Sequence, residues 1–195
     1  MVNKVREIII VLLAAGESKR FGGDKLLTLV SGKRLVDWSV EAAVASQVGS
    51  VLVVTNPNRA LNHLHPTVSI VVNPLWRNGI ASSIHAGLHA ASKKNCRAII
   101  FAPADQPLLT ADVYRRLANK FQHESCPLVV ASYGGQPRNP VLLDHTLWSA
   151  AHDIQGDTGL SQFARSKIAT LVECGDIASV VDIDRPEDLI AIEKR

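Results

Sequence analysis

The stretch EIIIVLLAAGESKRFGGDKLL, residues 7–27, joins an apolar run to a loop of glycines and basic side chains. Residues 7–15 are almost all hydrophobic, which predicts a strand buried on both faces, as in a parallel sheet covered by helices. The loop that follows carries Lys19, Arg20 and Lys25 among its glycines. Such a loop presents backbone N–H groups at the carboxyl edge of a sheet, where anions bind. The stretch predicts a polyphosphate cradle, with a glycine-rich turn bearing solvated cations as the alternative.

The first residues of the chain allow a second interpretation. Lys4 and Arg6 precede the apolar run and imitate a short secretory signal that ends in small residues. We favour a strand, because the glycine loop has a purpose only if the strand stays attached to it. No apolar run approaches the roughly 20 residues needed to cross a bilayer, so we expect no membrane partner.

Apolar runs and segments of helical period alternate along much of the chain. The runs interpreted as strands are 7–15, 50–56, 68–73, 97–105 and 127–133. The segments interpreted as helices are 34–46, 81–92 and 110–123, the last with Thr110 as a candidate N-cap. This alternation predicts an α/β fold with a doubly wound, mostly parallel sheet, helices on both faces, and a ligand crevice at the carboxyl ends of the strands.

The last third of the chain has a different character. Its segments GGQPRNPVLL (134–143), GDTGLSQFARS (156–166) and SVVDIDRPEDL (179–189) are rich in glycine, proline and polar residues, which indicates loops and short helices. No linker composition or internal repeat sets this part off, so residues 1–195 are predicted to form one domain.

Composition and charge narrow the class of protein. With 195 residues, 47% of them hydrophobic and 20% charged, the chain is that of an ordinary globular protein. A formal net charge of +3 suits an anionic small ligand, and no basic cluster interleaved with aromatic residues indicates nucleic-acid binding. Cys96, Cys126 and Cys174 have no CxxC spacing, so we expect reduced thiols in a cytoplasmic protein.

Two common phosphate-binding motifs do not fit the loop. The Walker A pattern fails because Gly16 and Gly22 enclose five residues and are followed by Gly23 rather than lysine. The dinucleotide pattern G-x-G-x-x-G is absent, which argues against a redox protein of the Rossmann type.

The segment LLAAGESKRFGGDKLL (12–27) resembles the L-A-(A/G)-G-x-S-x-R-(M/F)-G-x-x-K-L signature of the molybdenum cofactor nucleotidyltransferases, the MobA-like NTP transferases. Further segments resemble the family in the same order along the chain: NPLWRNGIASSIHAGL (73–88), APADQPLLT (102–110), GDTGL (156–160) and DIDRPEDL (182–189). The resemblance implies a Rossmann-like nucleotidyltransferase fold. It also implies Mg²⁺-dependent transfer of CMP from CTP to molybdopterin phosphate, with release of pyrophosphate.

The resemblance assigns the nucleotide to the opening loop. It implies that Ala14, Ala15 and Gly16 lie against the nucleotide, while Arg20 and Lys25 hold its phosphates. Nucleotidyl transfer is mostly positioning plus neutralisation of spreading negative charge, so the two cations are predicted to be catalytic.

Asp105 is the third predicted catalytic residue and the first predicted metal ligand. It follows an apolar run and precedes a Gln-Pro pair, which places its carboxylate at a strand end. A carboxylate beside phosphates is favourable if Mg²⁺ lies between them, and an Asx-turn before the proline is the alternative. Asp182 and Asp184 are both candidates for the second ligand, and the resemblance favours Asp184.

The segment that begins at Asn73 is implied to bind the nucleotide. Within it, Gly79 and Ser83 resemble the glycine and serine that contact the base in related enzymes, although Ser83 also suits the first turn of a helix. Guanylyl members of the family usually read L-A-G-G and cytidylyl members L-A-A-G, so Ala15 favours CTP over GTP.

The acceptor is the least constrained part of the prediction. The resemblance places molybdopterin phosphate at Arg138 and Asp157, with a molybdoenzyme as a further candidate partner. Asn139 replaces the histidine usual in the family, so a phosphorylated sugar or polyol stays open as acceptor. GTP also stays open as the nucleotide donor. A nucleotide-binding chaperone without turnover is the alternative from another class, and the retained loop cations and aspartate argue against it.

Overall fold

The computed structural model of the protein describes residues 7–189, so that Lys4 and Arg6 lie outside the described residues. The strands are β1 (Glu7–Ala14), β2 (Leu29–Val30), β3 (Lys33–Arg34), β4 (Gly49–Thr55), β5 (Ser69–Val72), β6 (Cys96–Pro103), β7 (Leu128–Tyr133), β8 (Gln136–Asp144) and β9 (Thr170–Glu173). The α-helices are α1 (Leu35–Ala45), α2 (Ile80–Ser92), α3 (Ala111–Glu124), α4 (Trp148–His152) and α5 (Ser161–Ala164). None of the helices within 7–189 has the length and hydrophobicity to span a membrane.

Seven of the strands form one sheet, in the order β5-β4-β1-β6-β8-β7-β9, and β2 pairs with β3 in a separate hairpin. β1 lies between β4 and β6 and is parallel to both, with Val11 opposite Leu52 on one side and Phe101 on the other. β8 runs antiparallel to both of its neighbours, and the other pairs of this sheet are parallel. The predicted mostly parallel sheet is confirmed.

Alternate residues of β1 belong to two different hydrophobic cores. Ile8 and Ile10 pack with residues of α1 and α3, whereas Ile9 and Val11 pack with residues of α2, α4 and α5. All four side chains are at most 3% exposed. Because helices cover both faces, neither set of positions has to be polar, which explains the unbroken apolar run in the sequence.

Helix α2 approaches the sheet most closely at Gly87. A Cβ atom at this position would lie 2.8 Å from Cγ1 of Val11 and 3.1 Å from Cε1 of Phe101. A larger residue would therefore push the helix away from β1 and β6. This packing seats the first turn of α2 beside the carboxyl ends of the two strands.

The last third contains a strand where the sequence analysis predicted a loop. Residues 136–144 form β8, although proline, which has no N–H to donate, argues against a strand interior. The register between β7 and β8 shifts after Val130 and leaves residues 139–140 unmatched on β8. Pro140 therefore lies at an irregularity where no ladder hydrogen bond is required.

The helix predictions hold for α1, α2 and α3, whose bounds lie within one residue of those expected. Thr110 occupies the N-cap position of α3, but its side chain does not cap the helix. Its Oγ1 donates instead to the carbonyl of Ile177 at 3.3 Å. The N-cap prediction was right in position and wrong in its hydrogen bond.

Candidate active site

A cleft of about 850 Å³ opens at the carboxyl ends of β1 and β6. Its lining comes from parts of the chain that are far apart in sequence: residues 13–20, Lys25, Leu26, Trp76, Arg77, Gly79, Ile80, Ser83, Pro103, Asp105, Asp157 and Asp184. This is the edge of the sheet at which the sequence analysis predicts a ligand crevice.

The glycine-rich loop, defined as residues 15–25, forms one side of the cleft. It contains one short 3-10 helix, Lys19–Phe21, and begins a second, Lys25–Leu27. Gly22 joins them with a φ of +74°, in the left-handed region that glycine adopts at little cost. The loop therefore turns back on itself within a few residues, which brings its cations close to the end of β1.

Arg59 holds this loop at both ends. Its side chain is only 3% exposed, and its Nη2 donates to the carbonyl of Gly16 at 2.8 Å while its Nη1 donates to that of Ala14. Its Nε donates to Oδ2 of Asp24 at 2.6 Å. Asn56 completes the set, since its Nδ2 donates to the carbonyl of Ala15 at 3.0 Å.

Nothing within residues 7–189 accepts a hydrogen bond from the backbone N–H groups of residues 15–18. All four residues line the cleft. Free N–H groups on consecutive residues of a glycine-rich turn form the kind of concavity that binds anions.

Lys25 lies between two aspartates. Its Nζ donates to Oδ2 of Asp105 at 2.5 Å and to the carbonyl of Ile183 at 2.7 Å, and it lies 3.4 Å from Oδ1 of Asp184. Arg20, which is largely exposed, donates from Nη1 to Oδ2 of Asp184 at 2.6 Å. The two loop cations and the two carboxylates thus form one connected network.

Asp105 is a largely buried carboxyl group beside the ammonium of Lys25. Burial raises the pKa of its carboxyl, and the nearby ammonium of Lys25 opposes that rise. Its Oδ1 is buried and has no hydrogen-bond partner among the described residues. A buried carboxylate oxygen without a partner is costly, so the site is incomplete without a ligand at this atom.

The two candidates for the second metal ligand have different surroundings. Asp184 lines the cleft and contacts the loop cations, whereas Asp182 lies outside the lining and accepts from Nε2 of Gln106 at 2.6 Å. Oδ2 of Asp188 accepts from the amides of Arg185 and Asp184, both at 2.8 Å. These hydrogen bonds lower the pKa of Asp188 and fix the backbone that carries Asp184. The geometry favours Asp184.

The carboxylates suit a cation that arrives with part of its ligand shell. Residues 7–189 contain no cluster of three or more His, Cys, Asp or Glu side chains able to hold a metal ion. Mg²⁺ commonly binds through one or two protein carboxylates, with phosphate oxygens and water as its other ligands. Asp105 and Asp184 match that pattern, since one offers a partnerless oxygen and the pair already shares a positive charge.

The first turn of α2 forms another wall of the cleft. Gly79 precedes the helix with a φ of +91°, and a Cβ there would lie 2.3 Å from the carbonyl carbon of Gly156. The amide of Ala81 donates to the carbonyl of Gly156 at 3.0 Å. Only glycine fits at position 79, and the close contact holds Asp157 at the cleft.

Ser83 lies in the wall of the cleft and Asn73 lies behind it. Nδ2 of Asn73 donates to Oγ of Ser82 at 2.8 Å and to Oγ of Ser83 at 3.1 Å. Asn73 is 2% exposed and does not line the cleft. Asn73 thus lies behind the wall of the cleft, where its amide donates to the two serines and positions them.

A second glycine-rich turn joins β7 to β8. Oε1 of Glu173 accepts from the amides of Gly134 and Gly175, both at 3.0 Å. Oε2 accepts from the amide of Gly135 at 3.1 Å and from Oγ of Ser132 at 3.0 Å. The backbone hydrogen bonds lower the pKa of Glu173 to about 2. This turn has an internal anion bound to its amides.

Most of the predicted site residues meet in one place. The cleft brings together Ala14, Ala15, Gly16, Arg20, Lys25, Gly79, Ser83, Asp105, Asp157 and Asp184. Arg138 is the second exception after Asn73, because it is an exposed residue of β8 and does not line the cleft. The sequence predicted a loop there, and Arg138 lies instead on β8, opposite Ala131 of β7.

Sequence analysis missed Asn56 and Arg59. Both follow β4, the strand next to β1, and carboxyl ends of neighbouring parallel strands meet at one edge of a sheet. The polar segment TNPNR (55–59), which begins inside the run 50–56, was the available signal. Trp76, 9% exposed, and Arg77, whose guanidinium lies 4.4 Å from the indole centroid, add a further wall.

Comparisons with known proteins agree with this geometry. Residues 10–171 match the family described as the MobA-like NTP transferase domain. The nicotine blue oxidoreductase of Paenarthrobacter nicotinovorans is 34% identical over 92% of this chain and 93% of its own. The purine catabolism protein PucB of Bacillus subtilis is 28% identical over 93% of each chain. The molybdenum cofactor cytidylyltransferase of Escherichia coli is 24% identical over 95% of each.

Solved structures share the fold. A protein from Mycobacterium sp. strain JC1 has a TM-score of 0.82 at 19% identity and covers 96% of this chain and 95% of that one. A Mycobacterium tuberculosis protein in complex with manganese has a TM-score of 0.71 at 17% identity, covering 96% and 98%. The family match and the 34% identical relative show the family of the chain as well as its fold. The chain belongs to the MobA-like NTP transferase family and is a nucleotidyltransferase.

Proposed function

We propose that the protein transfers CMP from CTP to the phosphate of molybdopterin that carries molybdenum, and releases pyrophosphate. One observation carries the proposal: free amides, two cations and two carboxylates converge in the cleft at the carboxyl ends of β1 and β6. Amides and cations suit a triphosphate, and carboxylates suit the divalent cation that accompanies it.

The reaction is a substitution at phosphorus. A phosphate oxygen of the acceptor attacks the α-phosphorus of CTP and forms a new P–O bond. The bond from the α-phosphorus to the bridging oxygen breaks, and its electron pair leaves with pyrophosphate. The acceptor phosphate is already a nucleophile, so no side chain has to remove a proton.

The chain's contribution is to hold the reacting groups and to neutralise charge. The amides of residues 15–18, Lys25 and Arg20 would bind the triphosphate and the leaving pyrophosphate. In the free protein, Lys25 and Arg20 neutralise the two carboxylates. The nucleotide brings negative charge and the divalent cation brings positive charge. The ammonium would then pair with phosphate oxygens instead of the carboxylates, and the carboxylates would pair with the divalent cation instead of the ammonium.

We propose Mg²⁺ as the divalent cation, held by Asp105 and Asp184. The manganese complex of the M. tuberculosis protein supports a divalent cation on this fold. When bound, such a cation neutralises phosphate oxygens and stabilises the leaving group. Asp105 and Asp184 would hold it in the cleft that the loop cations also line.

The cytosine base would lie against Ala15, Gly79 and Ser83. These residues line the same cleft, and Ser83 is fixed by its hydrogen bond from Asn73. A small hydroxyl and backbone groups can hydrogen-bond a base edge and still leave room for it. The proposal that CTP and not GTP is the donor rests on the L-A-A-G sequence and on the name of the E. coli relative.

The molybdopterin acceptor rests on the family resemblance and on that same name. Asp157 is the predicted acceptor residue that lies in the cleft, whereas Arg138 does not. We therefore propose that the acceptor enters beside the 156–159 segment and not along β8.

The test is pyrophosphate release by the purified protein with Mg²⁺, comparing CTP with GTP, each with and without molybdenum-loaded molybdopterin. We expect release with CTP that depends on the pterin. Release with CTP that requires a phosphorylated sugar or polyol instead would replace the acceptor and retain the reaction.

Two outcomes would overturn the reaction itself. Tight binding of CTP without pyrophosphate release, whichever acceptor is supplied, would indicate a nucleotide-binding chaperone. Oxidation or reduction of nicotine blue without pyrophosphate release would align the protein with the activity named for the P. nicotinovorans relative.

A further inference from the structure

We infer that Arg59 is the positioning residue that sets the phosphate-binding geometry of the glycine-rich loop, with Asn56 as its partner. This inference rests on the proposed function only for the identity of the anion. The loop's N–H groups are the candidate anion donors, and Arg59 and Asn56 hold the carbonyls of the same peptide units.

Peptide geometry connects the two sides of the loop. A trans peptide unit is planar, so its C=O and N–H bonds point in opposite directions. The carbonyls of residues 14, 15 and 16 accept hydrogen bonds from Arg59 or Asn56. The N–H groups of residues 15, 16 and 17 must therefore all point away from these two side chains. Residues 15–17 line the cleft and their amides have no acceptor among the described residues.

The role of Arg59 is geometric more than electrostatic. Its guanidinium is paired with the carboxylate of Asp24 at 2.6 Å, so the pair adds no net charge beneath the loop. A guanidinium has a rigid fork of donors that can reach two carbonyls and a carboxylate at once, whereas an ammonium is a single point charge. Lysine at this position would retain the charge and lose the hydrogen bonds that align the amides of residues 15 and 17.

Arg115 provides a matched control. It also binds two carbonyls and one aspartate, since its Nε donates to Ser46 at 3.2 Å and its Nη2 to Ala45 at 2.6 Å. Its Nη1 donates to Asp112 at 2.6 Å. Arg115 does not line the cleft, so the substitution R115K removes a similar set of hydrogen bonds outside it.

The experiment is calorimetric titration of wild type, R59K and R115K with CTP and, separately, with inorganic pyrophosphate, both with Mg²⁺. We expect R59K to lower the affinity for both ligands by the same factor, roughly 10- to 100-fold. This is the loss expected when one or two charge-assisted hydrogen bonds from the loop amides to phosphate are removed. R115K should leave both affinities unchanged. In turnover, R59K should raise KM for the nucleotide and leave KM for the acceptor unchanged.

Wild-type affinity in R59K would overturn the inference, and so would an equal loss in R115K, because the loss would then be a general effect of destabilisation. If R59K fails to fold, N56A removes the donor to Ala15, together with the acceptor of the Asn58 amide, and should weaken pyrophosphate binding by a smaller factor. Unchanged affinity in that variant overturns the inference too. Pyrophosphate binding without turnover in wild type would contradict the proposed function and still test Arg59.

Discussion

Two glycine-rich turns lie in this sheet, and they use their amides in opposite ways. The loop of residues 15–25 has its carbonyls held by Arg59 and Asn56, and its first four amides have no acceptor within residues 7–189. The turn between β7 and β8 has the amides of Gly134 and Gly135 bound by the carboxylate of Glu173. The first turn is prepared for an anion from outside, and the second contains its own.

Glycine content alone therefore does not identify a phosphate site. Both segments contain paired glycines in the sequence, and both offer N–H groups that an anion can bind. The deciding residues lie elsewhere in the chain: an arginine and an asparagine after β4 for the first turn, and a glutamate on β9 for the second. Cations complete the difference, because Arg20 and Lys25 face the cleft from the first loop.

The largest expected effect comes from Asp105→Asn. Removing this charge leaves the divalent cation with one carboxylate, so turnover should fall roughly 100- to 1,000-fold. The fold should remain intact, because Lys25 still pairs with Asp184. Steady-state pyrophosphate release measures the effect, with D182N as the matched control because Asp182 lies outside the cleft. Equal losses in the two variants would remove Asp105 from the metal site.

Lys25→Met should change metal binding in the absence of nucleotide. The ammonium now lies 2.5 Å from Asp105 and 3.4 Å from Asp184, where it competes with an incoming cation. Its removal should raise the affinity for Mn²⁺ about tenfold, as measured by electron paramagnetic resonance of free Mn²⁺. K120M, which removes a lysine paired with Glu124 on α3, is the control and should have no effect. A weaker affinity in K25M would contradict the shared-charge account.

Ala15→Gly should alter the choice of base. Ala15 lies at the start of the loop and lines the cleft, so loss of its methyl group changes the space beside the base. We expect the ratio of kcat/KM for CTP to that for GTP to fall, by about tenfold at most, as for one methyl group in a binding pocket. An unchanged ratio would discard the role of Ala15 in base selection.

The smallest effect on activity is expected from Glu173→Gln, since the second turn does not line the cleft. The substitution should instead change how the stability of the folded protein depends on pH. The pKa of Glu173 is lowered from 4.5 to about 2 in the folded protein, so its stabilising contribution is present above pH 4.5 and is lost as pH falls towards 2. Urea unfolding should show a difference between wild type and E173Q that shrinks across this window. A constant difference would mean that the carboxylate does not bind the turn as an anion.

The sequence predicted those elements whose pattern is local. The five strands and three helices with clear apolar periods formed as expected, because burial on both faces and helical spacing are both visible in the residues themselves. β8 was missed because its prolines argue against a strand, and the bulge at residues 139–140 that accommodates Pro140 is a property of the pairing with β7.

The site divides in the same way. The loop cations and Asp105 were predictable because each follows a strand end, where the topology brings them to one edge. Arg59 also follows a strand end, but its contacts with carbonyls 43 and 45 residues earlier in the chain are visible only in the folded protein. Asn73 belongs to the segment predicted to bind the nucleotide, and its side chain donates to Ser82 and Ser83.

The most direct test of the contrast between the two turns is the backbone amide spectrum of ¹⁵N-labelled protein titrated with CTP and Mg²⁺. The amides of residues 15–17 should shift, since they would donate to the phosphates, while those of Gly134 and Gly135 should not, because Glu173 already binds them. Shifts at Gly134 and Gly135 with none at residues 15–17 would contradict the account and place the nucleotide elsewhere.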